Sequence, residues 1–321
     1  MFDGISIAVV IPCYNEALAI GQVLTAFKTV LPEAALHVFD NNSTDDTAAV
    51  ATAHGAQVTH VGLRGKGNVV RRMFADVEAD IYVMVDGDAT YDVSGMREHI
   101  TLLVRGKLDM LVGCRTDEND ANDANDDNAT YRRGHRFGNR LLTASVGRIF
   151  GGYFTDMLSG YRIFSRRYVK SFPAVAKGFE IETELTVHAL GLRMPYAEVP
   201  TPYGARPAGS HSKLSTYRDG WRILKTIFQL FVSERPLAFF GIVAAVLAVL
   251  SVTLAIPLAV TYMETGLVPR LPTAVLVTGG MVSALLSMVC GAVLNNVSRG
   301  RQEVKHLAYL GIPAVRCAAL E

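Results

Sequence analysis

The sequence predicts an α/β fold: a mostly parallel sheet with helices on both faces, followed by an amphipathic helix and two transmembrane helices. Three observations support this prediction. Short apolar runs alternate with segments of helical periodicity in the first part of the chain. Polar clusters directly follow several of the apolar runs. Further along, residues 236–263 and 271–298 contain no Asp, Glu, Lys or Arg.

The individual elements follow from hydrophobic periodicity. Buried parallel strands are continuous apolar runs, whereas helices repeat apolar residues every three or four positions. Strands are predicted near residues 5–11, 36–39, 57–61, 81–85 and 110–113. Helices are predicted near residues 15–30, 43–54, 68–77, 94–105 and 216–232. The alternation of strand and helix is typical of a parallel sheet that is covered on both faces.

The predicted domain order is a soluble domain followed by a membrane anchor. The domain covers residues 1–214, an amphipathic helix beside the membrane covers 215–235, two spans cover 236–298, and a tail covers 299–321. A helix needs about 20 apolar residues to cross a bilayer, and both charge-free segments are long enough. Trp221 lies on the apolar side of the amphipathic helix, which favours a position at the lipid surface over a packing role in a core.

Charges around the spans predict their orientation. Basic residues are concentrated at 218–235, before the first span, and at 299–305, after the second. The positive-inside rule therefore places the domain and the tail in the cytoplasm. Small residues recur every fourth position in the second span, at Gly279, Ser283, Ser287 and Gly291. This stripe either lets another helix approach closely, including one from a second copy of the chain, or faces lipid.

Composition excludes several classes of protein. Half of the residues are hydrophobic (50%), 19% are charged and the formal net charge is +1. A disordered chain is thereby excluded, and we expect no nucleic-acid partner. The four cysteines lack CxxC spacing, which argues against a disulfide framework or a zinc site. The start, MFDGISIAVVIP, lacks the basic region of a signal peptide and is interpreted as the first strand of a cytosolic domain.

An acidic segment and a basic segment interrupt the pattern. Residues 116–130 are rich in Asp and Asn, and we favour a solvated loop over a calcium loop, because the EF-hand template does not fit. Residues 131–140 are basic. Their charges either neutralise the acidic neighbour or bind an anionic ligand.

Three polar clusters follow predicted strands. They are Pro12-Cys-Tyr-Asn-Glu16, Asp40-Asn-Asn-Ser43 and Asp86-Gly-Asp88. Ligands of open α/β sheets bind outside the carboxyl ends of the strands, so we expect the three clusters to share one crevice. Two carboxylates on a tight turn are hard oxygen ligands suited to Mg²⁺ or Mn²⁺. A fourth segment, Arg64-Gly-Lys-Gly-Asn68, either contacts phosphate or only starts a helix.

Six segments occur in an order that points to a family. They are VVIPCYNE, DNNSTDDT, RGKGNVVR, the DGD turn, DMLSGYRIFSR and RPAGSHSKLS. This ordered set resembles the family 2 glycosyltransferases of the Rossmann-like GT-A fold, over about residues 6–230. The resemblance is closest to the polyprenyl-phosphate branch, which includes dolichyl-phosphate mannose synthase and bactoprenol glucosyltransferases. The two carboxyl-terminal spans match the layout of the bactoprenol enzymes.

The resemblance implies roles for individual residues. The residues expected to bind a nucleotide sugar are Pro12, Tyr14, Glu16, Asp40, Asn41, Asp86, Gly87, Asp88, Arg206 and Lys213. Asp86 and Asp88 are also expected to bind Mg²⁺ or Mn²⁺, and with Arg115 they are the predicted catalytic residues. The family often has Gln at the position of Thr90 and an acid at the position of Asn41.

The implied acceptor explains why no general base lies at a motif position. A phosphate monoester has a second pKa near 6 and is already an anionic nucleophile, whereas an alcohol would need a base. The phosphate monoester is instead repelled by the donor diphosphate, and cations reduce that repulsion. Arg132, Arg133 and Arg136 are the predicted acceptor-phosphate ligands. Glu180 and Glu182 are either base candidates or first-turn acids that favour a helix dipole.

The prediction is a metal-dependent, inverting glycosyltransferase, anchored as a multi-pass protein in a bacterial-type inner membrane. It would move a sugar from a nucleotide sugar to an undecaprenyl-type polyprenyl phosphate, for modification of cell-envelope glycan or lipopolysaccharide. A UDP-hexose or UDP-hexuronate is favoured over GDP-mannose. The alternatives are a processive polysaccharide synthase and a non-catalytic nucleotide-sugar scaffold. Further expected partners are a second copy of the chain and a downstream flippase.

Overall fold

The predicted mostly parallel α/β sheet is confirmed. The structure is a computed structural model that describes residues 2, 4–116, 142–207 and 216–315. Seven strands form one sheet in the order β3-β2-β1-β4-β6-β5-β7. The strands are β1 (Ile7–Cys13), β2 (Ala35–Asp40), β3 (Gln57–His60), β4 (Ile81–Met84), β5 (Met110–Thr116), β6 (Arg162–Ser165) and β7 (Tyr196–Pro202). β6 is antiparallel to both of its neighbours, and the other pairs are parallel.

Helices cover both faces of this sheet. They are α1 (Ile20–Val30), α2 (Thr47–Ala53), α3 (Lys66–Asp76), α4 (Met96–Arg105), α5 (142–150), α6 (Arg166–Ser171) and α7 (Ile181–Gly191). One face packs β1 residues such as Val9 into a core with α1 and α4. On the other face, Phe74 of α3 contacts Tyr82 of β4 and Phe164 of β6. Because both faces are covered, β1 and β4 are buried almost throughout.

Two features of the sheet differ from the predictions. The helix predicted from Asn15 begins only at Ile20, because residues 15–17 bind side chains of the next loop instead. Strands β6 and β7 were not predicted. β6 has only four residues, and β7 carries two prolines, which are tolerated because it is an edge strand.

The chain divides into two compact units by its contacts. One unit holds residues up to Thr226 together with those from Lys305 onward, and the other spans Ile227–Val304. Three long helices follow the sheet: α8 (Thr216–Glu234), α9 (Pro236–Thr265) and α10 (Leu271–Leu310). Within the first unit, the Tyr309 hydroxyl donates to the buried Asp109 at 2.8 Å. Tyr309, which belongs to the predicted tail of residues 299–321, therefore contacts the sheet domain.

The second unit contains the end of α8, all of α9 and most of α10, and α9 and α10 have the composition of membrane spans. Both are long and apolar enough to cross a bilayer, and only 11% of the most apolar window of each is buried. They pack through small residues: a side chain on Gly280 would lie 2.2 Å from Ser251 Oγ, and one on Gly291 would lie 2.9 Å from Phe240. Gly291 of the predicted stripe thus faces α9, whereas Gly279 has open space beside it.

The apolar exposed helices lead to a prediction about topology. With Cys13, Cys114, Cys290 and Cys317 replaced by serine, Leu267→Cys in the exposed α9–α10 connection should react with a membrane-impermeant thiol reagent added outside intact cells. Glu303→Cys, which is also exposed, should react only after the membrane is opened, because the basic flanks stay inside. Equal labelling of the two cysteines in intact cells would contradict the two-span topology.

Candidate active site

The predicted polar clusters lie together at the carboxyl edge of the sheet. β1 and β2 pair in parallel, and Cys13 is in register with Asp40. The Asp86-Gly87-Asp88 turn follows β4, which pairs with the other side of β1. A side chain at Gly87 would lie 2.6 Å from the Cys13 sulfur. The turn therefore lies directly against the end of β1, and a side chain at Gly87 would require Cys13 to move.

Hydrogen bonds tie the first two clusters to each other. The Asn15 backbone N–H donates to Ser43 Oγ at 2.9 Å, and the Thr44 backbone N–H donates to Asn15 Oδ1 at 2.7 Å. The Glu16 backbone N–H donates to Thr47 Oγ1 at 2.8 Å. Asn15 has a positive φ of 54°, a conformation that Asn tolerates better than most residues. The loop after β1 is thereby fixed by the loop after β2.

The predicted nucleotide-binding residues border this pair of loops. Pro12 is on β1, Tyr14 is exposed and Glu16 is buried. Asp40 is buried at the end of β2 and lies 3.1 Å from the exposed His60 ring of β3. The Asn41 side chain holds the loop after β3, because its amide donates to the carbonyls of residues 61 and 63 and its oxygen accepts the Gly65 N–H. The roles of these residues toward a nucleotide stay predictions.

Asp86 is held in place by a buried lysine and a glycine. Lys66 Nζ lies 2.6 Å from Asp86 Oδ1 and 2.6 Å from Glu182 Oε1. A side chain at Gly160 would lie 2.2 Å from Asp86 Oδ2, so the backbone there is in contact with the carboxylate. Burial alone would lower the pKa of Lys66, but the two carboxylates outweigh it and raise the pKa. Lys66 therefore remains charged between two acids.

The glycines beside Lys66 explain how it reaches this position. Side chains at Gly65 and Gly67 would each lie 2.2 Å from a carbonyl oxygen of the 176–177 backbone, and Gly65 has a φ of 118°. Glycine is needed at such a φ and such a close approach. The loop before α3 therefore fits against the loop before α7. The segment starts helix α3, as one of the two sequence interpretations predicted, and Lys66 also binds two protein carboxylates, which neither interpretation predicted.

The acids at the start of α7 have separate roles. Glu180 accepts the backbone N–H of Gly178 at 3.0 Å, and Glu184 accepts that of Ala176 at 2.7 Å. These two carboxylates support the loop against which Lys66 is packed. Glu182 faces the site, is buried, and its Oε2 has no hydrogen-bond partner among the residues that the structure describes. Burial raises the pKa of Glu182; Lys66 opposes this effect and Asp86 adds to it.

Asp88 is saturated with hydrogen bonds on both oxygens. Oδ1 accepts the Thr90 hydroxyl at 2.6 Å and the Thr90 backbone N–H at 3.3 Å. Oδ2 accepts Arg206 Nη2 at 2.7 Å and Nε at 3.0 Å. Ala89 between them has a φ of 58°, which costs about 1–3 kcal/mol for a residue other than glycine. Thr90 thus orients Asp88.

Arg115 lies at the end of β5 and is already paired. Its Nε donates to Asp156 Oδ2 at 2.7 Å and its Nη2 to Asp156 Oδ1 at 2.8 Å. Its guanidinium carbon lies 5.6 Å from the centre of the Tyr203 ring, within the range of a cation–π contact. The predicted catalytic role of Arg115 remains a prediction.

A second buried cation, Arg162, joins the parts of the site. It is fully buried and donates to the carbonyls of Met157, Ser159 and Glu182. The segment 156–160 contains Asp156, which pairs with Arg115, and Gly160, whose backbone contacts Asp86. Glu182 lies in the first turn of α7. Arg162 therefore fixes these two segments relative to each other. The DMLSGYR motif, which ends at Arg162, is part of the family resemblance, but the sequence predicted no role for Arg162.

Four predicted site residues lie outside the described residues: Lys213, Arg132, Arg133 and Arg136. The acidic segment after Thr116 lies outside them as well. Of the residues that are described, sequence reasoning missed the pairing of Lys66, and it left Glu180 and Glu182 unresolved. The two glycines of RGKGN indicate that another backbone segment comes close to Lys66. That segment, residues 176–177, is more than 100 residues away along the chain, so the sequence did not identify it.

The donor atoms fit a hard divalent cation. In the part of the chain that the structure describes, no group of three or more His, Cys, Asp and Glu side chains could hold a metal by itself. Mg²⁺ is commonly bound by one or two carboxylates together with water and substrate phosphates, and Asp86 and Asp88 offer two carboxylates on one turn. Both already attract a cation, Lys66 and Arg206 respectively. The residues therefore fit a metal that is completed by a phosphate ligand.

Known proteins share this architecture. The model of glycosyl transferase family 2 matches residues 8–172. The chain is 32% identical to the glycosyltransferase AglJ of Haloferax volcanii, over 74% of this chain and 75% of that protein. It is 26% identical to the dolichyl-phosphate hexose transferase of the same organism, over 71% of this chain and 95% of that protein.

One solved structure shows the same fold. It is glucosyl-3-phosphoglycerate synthase from Mycobacterium tuberculosis in complex with Mn²⁺, UDP-glucose and phosphoglyceric acid. The TM-score is 0.55 at 24% sequence identity, and the match covers 71% of this chain and 80% of that chain. The architecture described above is therefore a GT-A fold.

The buried lysine leads to a prediction about stability. Lys66→Met leaves the Asp86 and Glu182 carboxylates without their cation, and we expect a loss of about 3–5 kcal/mol at pH 8. Burial raises the pKa of Glu182 and Lys66 opposes this effect, so without Lys66 the penalty for the ionised Glu182 grows as the pH rises and is smaller at pH 5. Thermal unfolding of the variant and the unmodified protein at both pH values measures this difference.

Two variants control this experiment. Lys28→Met removes an exposed lysine and should change stability by no more than about 0.5 kcal/mol. Lys66→Arg keeps the charge and should recover part of the loss. A Lys66→Met protein that unfolds at the same temperature as the unmodified protein at pH 8 would show that the bridge does not stabilise the fold.

Proposed function

This chain belongs to glycosyl transferase family 2, and from that premise we propose that it transfers a hexose or hexuronate from a nucleotide sugar to a polyprenyl phosphate. One observation carries the proposal: the Asp86-Gly87-Asp88 turn lies at the carboxyl edge of the sheet with both carboxylates bound to cations. A site in which acids and cations lie side by side can bind a divalent metal next to the acids and a sugar diphosphate next to the cations. The buried carboxylate of Glu182 lies beside the turn, and its Oε2 has no hydrogen-bond partner among the described residues.

The proposed donor lies across the loops after β1, β2 and β4. A UDP-sugar is favoured, since the glucosyl-3-phosphoglycerate synthase of the same fold was solved with UDP-glucose and Mn²⁺. Asp40 and the loop from Tyr14 to Glu16 would hold the nucleoside. Asp86 and Asp88 would hold Mg²⁺ or Mn²⁺, which supplies charge neutralisation for the leaving diphosphate when bound.

The proposed acceptor is a phosphate monoester on a lipid. Support comes from the relative named as a dolichyl-phosphate hexose transferase and from the two apolar helices. An acceptor phosphate oxygen attacks the anomeric carbon from the side opposite the diphosphate. The new carbon–oxygen bond forms as the bond to the diphosphate breaks, and the diphosphate leaves with that electron pair. The sugar configuration is thereby inverted, and no proton has to be removed from the nucleophile.

Glu182 is proposed to orient the donor sugar. Its Oε1 is occupied by Lys66, and its Oε2 is buried without a partner among the described side chains. A buried acceptor of this kind gains most from a hydroxyl donor, and the sugar is the hydroxyl-rich part of the donor. Because the acceptor needs no base, the orienting role fits the site better than a base. Glu180 has no such role, since it supports the 177–178 backbone.

The membrane part is proposed to hold the enzyme at the surface where its lipid acceptor lies. The exposed side chains of α8 include Trp221, Leu224 and Phe228. A helix with exposed aromatic and aliphatic residues beside basic ones is suited to the interface of an anionic leaflet. We propose a cell-membrane location with the catalytic domain in the cytoplasm.

A donor screen tests the proposed function. Purified protein in detergent is given UDP-hexoses, UDP-hexuronates and GDP-mannose, each with a short polyprenyl phosphate, and products are read by mass spectrometry. We expect one UDP-sugar to yield a glycosyl-phospholipid, and Asp88→Asn to lower turnover at least about a hundredfold, since a lost charge-stabilising contact costs about 2.7–4 kcal/mol. Chelation of divalent cations should have a similar effect.

The controls separate a site effect from a loss of folding. Asp76→Asn removes a solvent-exposed i,i+4 pair with Arg72 and should leave turnover unchanged. Glu182→Gln should raise the KM for the donor. A fall in kcat alone for Glu182→Gln would assign it as a base instead. Full turnover by a folded Asp88→Asn protein, or transfer only to a non-lipid acceptor, would contradict the proposal.

The basic stretch leads to a separate prediction about the acceptor. Changing Arg132, Arg133 and Arg136 together to Ala should raise the KM for polyprenyl phosphate at least about tenfold, because each cation near an anionic surface contributes about 1 kcal/mol. Nucleotide binding, measured by calorimetry, should be nearly unchanged. A control triple variant of the exposed Arg72, Arg105 and Arg193 removes the same charge elsewhere. Unchanged acceptor kinetics together with weaker donor binding would show that Arg132, Arg133 and Arg136 belong to the donor site and not to the acceptor site.

A further inference from the structure

The two carboxylates of the Asp86-Gly87-Asp88 turn have counterions of different kinds. Lys66 is almost fully buried, with a side chain 10% exposed, and it binds both Asp86 and Glu182. Arg206 is 25% exposed and, within the described part of the chain, binds only one carboxylate, that of Asp88. Removing Lys66 would leave two acids unpaired, whereas moving Arg206 would leave one. Of the two cations, Arg206 is the one that can exchange.

Asp88 cannot take up a metal without losing one of its present partners. A carboxylate has about four lone-pair sites, and Asp88 uses them for two hydrogen bonds from Thr90 and two from Arg206. The Thr90 bonds are local and lie within the buried turn. The Arg206 bonds come from a segment 118 residues away along the chain. A divalent cation would also repel the guanidinium at Asp88 Oδ2.

We propose that Arg206 occupies the metal's place at Asp88 and exchanges with it: the divalent cation displaces the guanidinium, which then binds the donor diphosphate. This inference rests on the proposed function. The exchange leaves every charge partnered. Asp88 trades one cation for another, and the displaced guanidinium gains a phosphate, for which its planar fork is well suited.

The exchange couples metal and donor binding. Without a donor, a metal at Asp88 leaves Arg206 without its anion, so metal binding is weak. With a donor present, the diphosphate accepts the guanidinium and metal binding is stronger. Thermodynamic linkage requires that the metal strengthens donor binding by the same factor. Arg206 is therefore a positioning residue for the metal and a ligand of the donor.

Direct Mn²⁺ binding tests this inference without relying on turnover. Free Mn²⁺ is measured by electron paramagnetic resonance in titrations of the full chain, with and without UDP. Arg206→Met should bind Mn²⁺ about tenfold more tightly than the unmodified protein when UDP is absent, about the factor that one charge-assisted contact represents. The strengthening of Mn²⁺ binding by UDP should shrink by about the same factor. Binding of UDP should be weaker in the variant.

Two variants make the result specific. Asp88→Asn identifies Mn²⁺ that binds elsewhere on the chain, including the acidic residues after Thr116. Arg97→Met removes a paired arginine that binds Glu33 and not the turn, so it should leave Mn²⁺ affinity without UDP unchanged. Circular dichroism spectra confirm that each variant is folded.

The outcomes distinguish this inference from the proposed function. If Asp88→Asn binds Mn²⁺ as well as the unmodified protein, the proposed metal site itself is wrong. If Asp88→Asn loses Mn²⁺ while Arg206→Met binds it equally or more weakly without UDP, the metal site stands and the exchange is overturned. Tighter binding in both Arg206→Met and Arg97→Met would show a general charge effect and would also overturn the exchange.

Discussion

The buried lysine between Asp86 and Glu182 is the interaction on which the rest of the site depends. A charge taken out of water is stable only when it is paired and hydrogen-bonded, and Lys66 meets that condition with two carboxylates at 2.6 Å. The backbone has to come close for this to happen. The glycines on either side of Lys66 permit that approach, and Glu180 and Glu184 hold the opposite loop in place.

The same pairing connects segments that are distant along the chain. Lys66 begins α3, Asp86 follows β4 and Glu182 lies in the first turn of α7. Arg162 joins α7 to the segment behind Asp86 through buried hydrogen bonds. Lys66, Glu182 and Arg162 thus form a network of buried charged groups next to the turn. The second acid of the turn, Asp88, binds the more exposed Arg206. This arrangement combines a fixed frame with one exchangeable contact, which suits a site where charged groups enter and leave.

The opposite edge of the sheet is fixed by a different set of charges. Asp109, at the start of β5, is fully buried and pairs with Arg167, Ser165 and the Tyr309 hydroxyl. Tyr309 lies near the end of α10, so this part of the chain is attached beside the start of β5. Both edges of the sheet therefore use buried acids to bring distant segments together.

The sequence alone determined five of the seven strands, most helices, the two long apolar helices and the family, because hydrophobic period and ordered motifs are local properties. It also placed Asp86 and Asp88 on a turn after β4. The cationic partners of those acids were decided by tertiary structure, because Lys66 and Arg206 come from distant parts of the chain. Glu180 and Glu182 look alike in the sequence, two residues apart on one turn. Packing separates them, because the loop that lies against α7 binds one carboxylate and leaves the other buried beside a lysine.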